Sequence, residues 1–109
     1  MKWSIVSVAK VVRLRVDVDK VADLEVVLRR AREQFQNEPG TMLWDVFDSE
    51  QGDHRALGAG ERILIEVFSN EAAVRDHDES AAVAQLIADF ENLGLDVLSV
   101  DQLSQTSFF

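Results

Sequence analysis

The chain lacks cysteine and any long uncharged apolar run. Without a cysteine among its 109 residues, it has no disulfide framework, no thiolate ligand for a metal and no cysteine nucleophile. No uncharged stretch reaches the roughly 18 residues that a membrane-spanning helix requires. Because Lys10, Arg13 and Arg15 interrupt the apolar N-terminal segment, we interpret it as a strand and not as a signal peptide. These features predict a cytoplasmic protein with no membrane partner.

Histidine and positive charge are also scarce. The chain has two histidines, and 20 acidic against 11 basic residues give a net charge of -9. Charge of this sign repels phosphate backbones, so nucleic acid is not an expected partner. The histidines lack the i, i+4 spacing of a helical metal site, and no glycine-rich phosphate loop follows a predicted strand. We therefore predict neither a metal nor an organic cofactor, and we expect His54 on the solvated surface of a loop.

Apolar residues make up 47% of the chain, which suffices for one hydrophobic core. Residues 1–109 are therefore expected to form a single domain. Alternation of apolar and polar positions predicts four strands. They are expected at residues 5–17, 41–48, 62–68 and 95–101.

Three helices are predicted from apolar residues that recur every three or four positions. The first, about 16 residues long, is expected to follow a cap at Asp19. The second runs from Ser69 or Asn70 to about Asp78, and the third is expected to begin at a Ser80 cap.

The resulting element order is β-α-β-β-α-α-β. It predicts an α+β, ferredoxin-like split β-α-β fold, in which a four-stranded antiparallel sheet carries helices on one face. Both alternating sets of strand residues are largely apolar, so the pattern does not decide which set meets the helices. The other set is left on a bare face, and exposed apolar surface of that size is typical of an interface. We therefore predict a two-fold homodimer with the sheets back to back.

Three segments resemble the antibiotic biosynthesis monooxygenase family. They are the turn Glu38-Pro39-Gly40, the strand sequence ILIEVF at residues 63–68, and the sequence NEAA at residues 70–73 followed by His77 and Ser80. The resemblance spans roughly residues 5–101. It implies a dimeric α+β barrel and, in the best-known members, cofactor-independent oxygenation of polycyclic phenols or quinols during polyketide biosynthesis.

Two residues are candidates for catalysis. By the resemblance, His77 lies near the mouth of a cavity between helices and sheet, where a neutral imidazole would take a phenolic proton. The structural alternative is a histidine hydrogen-bonded near a helix end. Glu66 is expected mid-strand on an apolar face, where an unpaired carboxylate is costly. It is either a base or substrate anchor, or the partner of Arg13 or Arg15 in a structural ion pair.

Four residues are candidates for substrate binding. Arg13 and Arg15 suit an anionic or phenolate substrate if they face the cavity. Trp44 and Phe68 would shape an apolar wall for a flat aromatic ligand. The structural alternative for both aromatic residues is a place in the core, where strand aromatics are common.

These expectations favour a cofactor-independent monooxygenase or oxidase that acts on an aromatic polyketide-type substrate, such as an anthrone, quinol or naphthol, in secondary metabolism. Anthrone-oxidising members of the family pair a tryptophan with an asparagine, whereas this chain has Phe68 and Leu64 on the third strand. That departure favours a second hypothesis, a non-redox cyclase or isomerase of a polyketide-type intermediate. A third is a non-catalytic ligand-binding or assembly protein.

Overall fold

The computed structural model describes residues 6–49 and 57–106. It has the predicted order of strands and helices, with a short 3-10 turn, Val18–Lys20, before the first helix. The strands are β1 (Val8–Arg15), β2 (Thr41–Phe47), β3 (Glu61–Phe68) and β4 (Asp96–Ser104), and the helices are α1 (Val21–Phe35), α2 (Glu71–Asp78) and α3 (Ala81–Asn92). His54 lies outside the described residues.

The four strands form one antiparallel sheet in the order β2-β3-β1-β4. The first and third strands are therefore central and the second and fourth are edges. This order is that of the split β-α-β arrangement. The predicted α+β, ferredoxin-like fold is confirmed.

Side-chain caps begin two of the three helices as predicted. The Asn70 side chain accepts a hydrogen bond from the Ala73 N–H at 2.9 Å, and the Ser80 hydroxyl accepts one from the Val83 N–H at 3.2 Å. The predicted Asp19 cap is wrong. Asp19 lies inside the 3-10 turn, in which the Lys20 N–H donates to the Asp17 carbonyl at 2.9 Å. Because this turn precedes α1, the helix begins after Lys20, which makes no side-chain cap bond.

The helices pack on the sheet face that carries the even-numbered residues of β1 and β3. Along β3 every second side chain is buried, in a strict alternation from Arg62 to Phe68. The core on this face includes Leu14, Leu24, Leu28, Phe35, Trp44 and Leu64.

The opposite face of the sheet is bare. Ile63, Ile65 and Val67 are half-buried there, and Phe47 and Leu103 are exposed. A bare apolar face was predicted, and the register now assigns it to the odd-numbered residues of β1 and β3.

Strand β4 is exposed along its whole length. Its Val100 pairs with Val12 and its Gln102 pairs with Lys10, so both project to the helix side of the sheet. The helices therefore cover β2, β3 and β1 but leave a strip beside β4 open. None of the helices in the described ranges is long and apolar enough to cross a membrane.

Candidate active site

His77 lies in the last turn of α2 and is buried against the sheet, with 5% of its surface exposed. Its Nδ1 is 2.7 Å from Glu38 Oε1 and its Nε2 is 3.3 Å from Glu66 Oε1. The ring thus lies between two carboxylates. We call Glu38, His77 and Glu66 the His77 array.

Glu38 reaches the array from the turn between α1 and β2. The Thr41 hydroxyl donates to Glu38 Oε1 at 2.9 Å, which fixes the carboxylate that faces His77. Gly40 lies against Ala73 of α2, and a Cβ at position 40 would overlap the Cβ of Ala73. The family-like turn therefore has a physical role, since it supplies a carboxylate and lets α2 approach.

Aromatic rings enclose the array. The His77 ring lies 4.5 Å from the Phe35 centroid and 4.9 Å from the Phe68 centroid. Trp44 is 5.0 Å from Phe35 and pairs with Glu66 across the β2-β3 ladder. Trp44 and Phe68 are both almost completely buried, as in the alternative that places them in the core.

The two carboxylates raise the pKa of His77. Burial by itself lowers the pKa of His77, but the contacts with Glu66 and Glu38 raise it by more, and the net result is a pKa above the ordinary 6.5. A neutral ring would direct one nitrogen lone pair at a carboxylate, whereas an imidazolium donates an N–H to each. The geometry therefore favours the charged ring, which differs from the neutral base that the sequence suggested.

Lys10 lies on β1 and pairs with Glu66 across the β1-β3 ladder. It therefore flanks Glu66 on the side opposite Trp44. Its Nζ is 2.7 Å from Asp78 Oδ1, at the end of α2. One row across the sheet therefore reads Trp44, Glu66, Lys10 and Gln102. Sequence reasoning missed both Glu38 and Lys10, although Lys10 shares the alternation of the buried residues Val8 and Leu14.

Arg13 and Arg15 lie on the opposite face of the sheet from Glu66. Arg13 binds Glu61 at 3.0 Å and Arg15 lies 3.3 Å from Asp96. The predicted pair between Glu66 and one of these arginines is wrong, because the register places Arg13 opposite Ile63 on the bare face. The structure does not bring these two arginines to the His77 array.

Arg62 is buried at the other end of β3 and forms a second ionic cluster with partly exposed carboxylates. Its guanidinium donates to the carbonyls of Ala59 and Glu61, and it pairs with Glu25 at 3.2 Å and with Asp48 at 3.4 Å. We call Arg62, Glu25 and Asp48 the Arg62 cluster.

Two pockets in the described part of the chain lie away from the array. One of about 420 Å³ opens on the bare face beside Ala9 and Val67, and one of about 250 Å³ lies beside Arg62. Neither is lined by His77 or Glu66. Within residues 6–49 and 57–106, no group of three or more histidine, aspartate or glutamate side chains is arranged to hold a metal ion.

The sequence profile of the family described as antibiotic biosynthesis monooxygenase matches residues 7–89. The chain belongs to the antibiotic biosynthesis monooxygenase family. The match includes every member of the His77 array and Lys10, and it ends within α3. No curated protein is similar enough in sequence to match.

Solved structures with the same fold include two that are provisionally named antibiotic biosynthesis monooxygenases. The Nitrosomonas europaea protein is 17% identical, with a TM-score of 0.75 over 100% of this chain and 97% of that one. The Deinococcus radiodurans protein is 18% identical, with a TM-score of 0.73 over 92% and 91%. A Mycobacterium tuberculosis protein, Rv0793, is 20% identical, with a TM-score of 0.70 over 94% and 96%. At these identities the likeness shows the fold alone.

Proposed function

We propose that this member of the antibiotic biosynthesis monooxygenase family is a cytoplasmic, cofactor-independent monooxygenase or oxidase of an aromatic polyketide-type substrate such as an anthrone, quinol or naphthol. The observation that supports it most is the His77 array. An imidazole lies there between two carboxylates, within hydrogen-bond distance of each, in a largely apolar setting against Phe35 and Phe68. Proton removal is the chemistry that makes such a substrate reactive toward oxygen without a metal.

In this proposal Glu66 receives the substrate proton. Of the two carboxylates, Glu66 is the one on the sheet, in the row that leads through Lys10 to the open strip beside β4. The charged His77 ring holds Glu66 in place and balances its charge, while Glu38 fixes the far side of the ring. The substrate anion then transfers an electron to oxygen, so the protein supplies orientation and a site of low water content.

A non-redox cyclase or isomerase is the second candidate. The positions on β3 that would carry the tryptophan and asparagine of anthrone-oxidising members hold Phe68 and Leu64, and both are buried in the core. The same array would then move a proton within the substrate, with no oxygen consumed. A non-catalytic ligand-binding or assembly protein is the third.

The bare face of the sheet supports a homodimer as part of this proposal. Placing Lys at Ile65, in the middle of that face, would put a charge among apolar side chains of a second copy. Sedimentation should show a dimer for the wild type and a monomer for Ile65→Lys. Val26→Lys, on an exposed position of α1, is the matched control and should leave the dimer intact. A monomeric wild type would contradict the dimer.

Oxygen consumption tests the reaction. The metal-free protein is offered a panel of anthrones, quinols and naphthols, and the wild type is compared with His77→Gln and Glu66→Gln. We expect uptake by the wild type and its loss in both variants. Conversion to a product of equal mass without uptake would establish the cyclase or isomerase instead. Binding without any conversion would establish the ligand-binding protein.

A further inference from the structure

Lys10 is unusually enclosed for a lysine on a sheet. Only 13% of its side chain is exposed, and its Nζ binds Asp78 Oδ1 at 2.7 Å and lies 5.9 Å from the centroid of the Phe68 ring. Lysines are rarely buried without a charged partner. Here the partner, Asp78, keeps 49% of its side chain exposed. The ion pair therefore lies beside the His77 array, and its Asp78 carboxylate is exposed to solvent.

The position of Lys10 in the sheet places it between the array and the open strip. On one side its ladder partner is Glu66, and on the other it is the exposed Gln102. The next row carries Val12 and the exposed Val100 on the same face. A flat apolar molecule resting on this strip would therefore have Lys10 at its edge, with Glu66 as the next residue in the same row of the sheet.

We propose that Lys10 binds the phenolate or enolate oxygen of the substrate, with Asp78 acting as the counterion that positions Lys10 and is exchanged for that oxygen. The inference rests on the proposed function, which it deepens by assigning the anion-binding group. The step is a proton transfer: the O–H bond of the substrate breaks, Glu66 gains the proton, and the oxygen anion remains on the Lys10 ammonium. No oxidant is needed for it.

Charge and placement select Lys10 over the other cations near the sheet. Arg13 and Arg15 lie on the bare face, and Arg62 is at the far end of β3, bound to main-chain carbonyls and to Glu25. A cation within about 4–6 Å of a hydroxyl favours its ionised form. In the proposed mechanism Lys10 thus lowers the free energy needed to deprotonate the substrate hydroxyl. Without Lys10, Glu66 would have to accept the proton with no cation bound to the substrate oxygen.

The test uses 4-nitrophenol, whose phenolate absorbs visible light while the phenol does not. Its binding and its titration are measured on the full chain for wild type, Lys10→Met, Lys10→Arg and Asp78→Asn. In the wild type we expect the bound probe to ionise about one pH unit below the free probe. Lys10→Met should abolish this shift and weaken phenolate binding about tenfold. Lys10→Arg should keep most of both effects.

Asp78→Asn, unlike Lys10→Met, should not weaken phenolate binding. Removing the competing carboxylate should leave phenolate binding at least as tight as in the wild type, and this holds even if Lys10→Met fails to fold. Phenolate binding that is unchanged in Lys10→Met, weakened in Asp78→Asn, or absent from the wild type would overturn the assignment.

Oxygen uptake on the same samples separates this inference from the proposed function. Lys10-dependent phenolate binding without uptake would reject the oxygenase and retain the role of Lys10. Oxygen uptake that Lys10→Met leaves unchanged would retain the oxygenase and reject the role of Lys10.

Discussion

Strand β3 buries two ionisable side chains on its helix-facing side, Arg62 near its start and Glu66 near its end. The guanidinium of Arg62 donates to main-chain carbonyls, and its acidic partners Glu25 and Asp48 are half exposed. Glu66 instead faces His77, and the side chains of both are more than nine-tenths buried. The same strand therefore carries a buried guanidinium at one end and, at the other, a carboxylate that faces a histidine of α2.

This difference separates a structural cluster from a chemical one. Arginine stays charged at every physiological pH, so the Arg62 cluster has no proton to exchange. In the His77 array, a histidine whose pKa is raised above its ordinary value lies in a buried place between two carboxylates. Titratable side chains in that arrangement are typical of functional sites. We therefore expect substitutions at the two ends to act on different properties of the protein.

The largest expected effect is on the reaction rate. Glu66→Gln keeps the shape of the side chain but removes the proton acceptor, and we expect kcat to fall by roughly 10²- to 10⁴-fold. Arg62→Lys, the matched control on the same strand, should change kcat by less than about threefold, since the Arg62 cluster touches no reacting group. Steady-state oxygen uptake measures both. Equal losses in the two variants would remove the distinction between the clusters.

The second effect is on stability, at the contact between Gly40 and α2, the helix that carries His77. Gly40→Ala should destabilise the protein by roughly 1–3 kcal/mol, because the new Cβ overlaps Ala73 and pushes α2 from the turn. Chemical denaturation measures the change. The double variant Gly40→Ala with Ala73→Gly should recover part of the loss. If the double variant loses as much stability as the two single variants together, then close packing of α2 on the turn does not explain why position 40 requires glycine.

A smaller effect is expected at the structural cluster. Arg62→Met should lower the free energy of unfolding by about 1–2 kcal/mol, less than for a fully buried pair, since Glu25 and Asp48 can turn to water. The loss should not depend on pH between 6 and 9, where Arg62 keeps its charge. A pH-dependent loss would mean that this cluster also exchanges protons.

The smallest effect is the pH dependence of stability. Because the folded-state pKa of His77 is raised above 6.5, its contribution is fully present below pH 6.5 and is lost as the pH rises through the folded value. From pH 6 to pH 9, the free energy of unfolding should therefore fall by more in the wild type than in His77→Gln, as measured by chemical denaturation at the two pH values. His54→Gln, which removes the other histidine, should behave like the wild type. A wild type that gains stability relative to His77→Gln would contradict the direction of the shift.

The sequence predicted the fold well because each element has its own local signal. The caps at Asn70 and Ser80 and the turn at Glu38-Pro39-Gly40 are read from a few neighbouring residues. The wrong prediction of a cap at Asp19 shows the limit of such signals. An acidic residue two positions before a helix fits an N-cap and a 3-10 turn equally, and only the backbone decides.

The site was harder to predict because it depends on register. Glu66 and His77 were both identified as candidates, but nothing local links either of them to Glu38. The sequence offers Arg13 and Arg15 as partners for Glu66, yet the pairing of Lys10 with Glu66 puts them on the other face. A slip of one residue would exchange those faces, so this part of the site follows from the sheet and not from composition.

The protonation of His77 can be followed by nitrogen NMR of the two histidines, assigned with His77→Gln. We expect His77 to titrate with a midpoint above 6.5, both its ring nitrogens to carry protons below that midpoint, and Glu66→Gln to lower the midpoint. A His77 midpoint at or below 6.5, with one nitrogen unprotonated at lower pH, would contradict an imidazolium held between Glu38 and Glu66. That result would favour the neutral base instead.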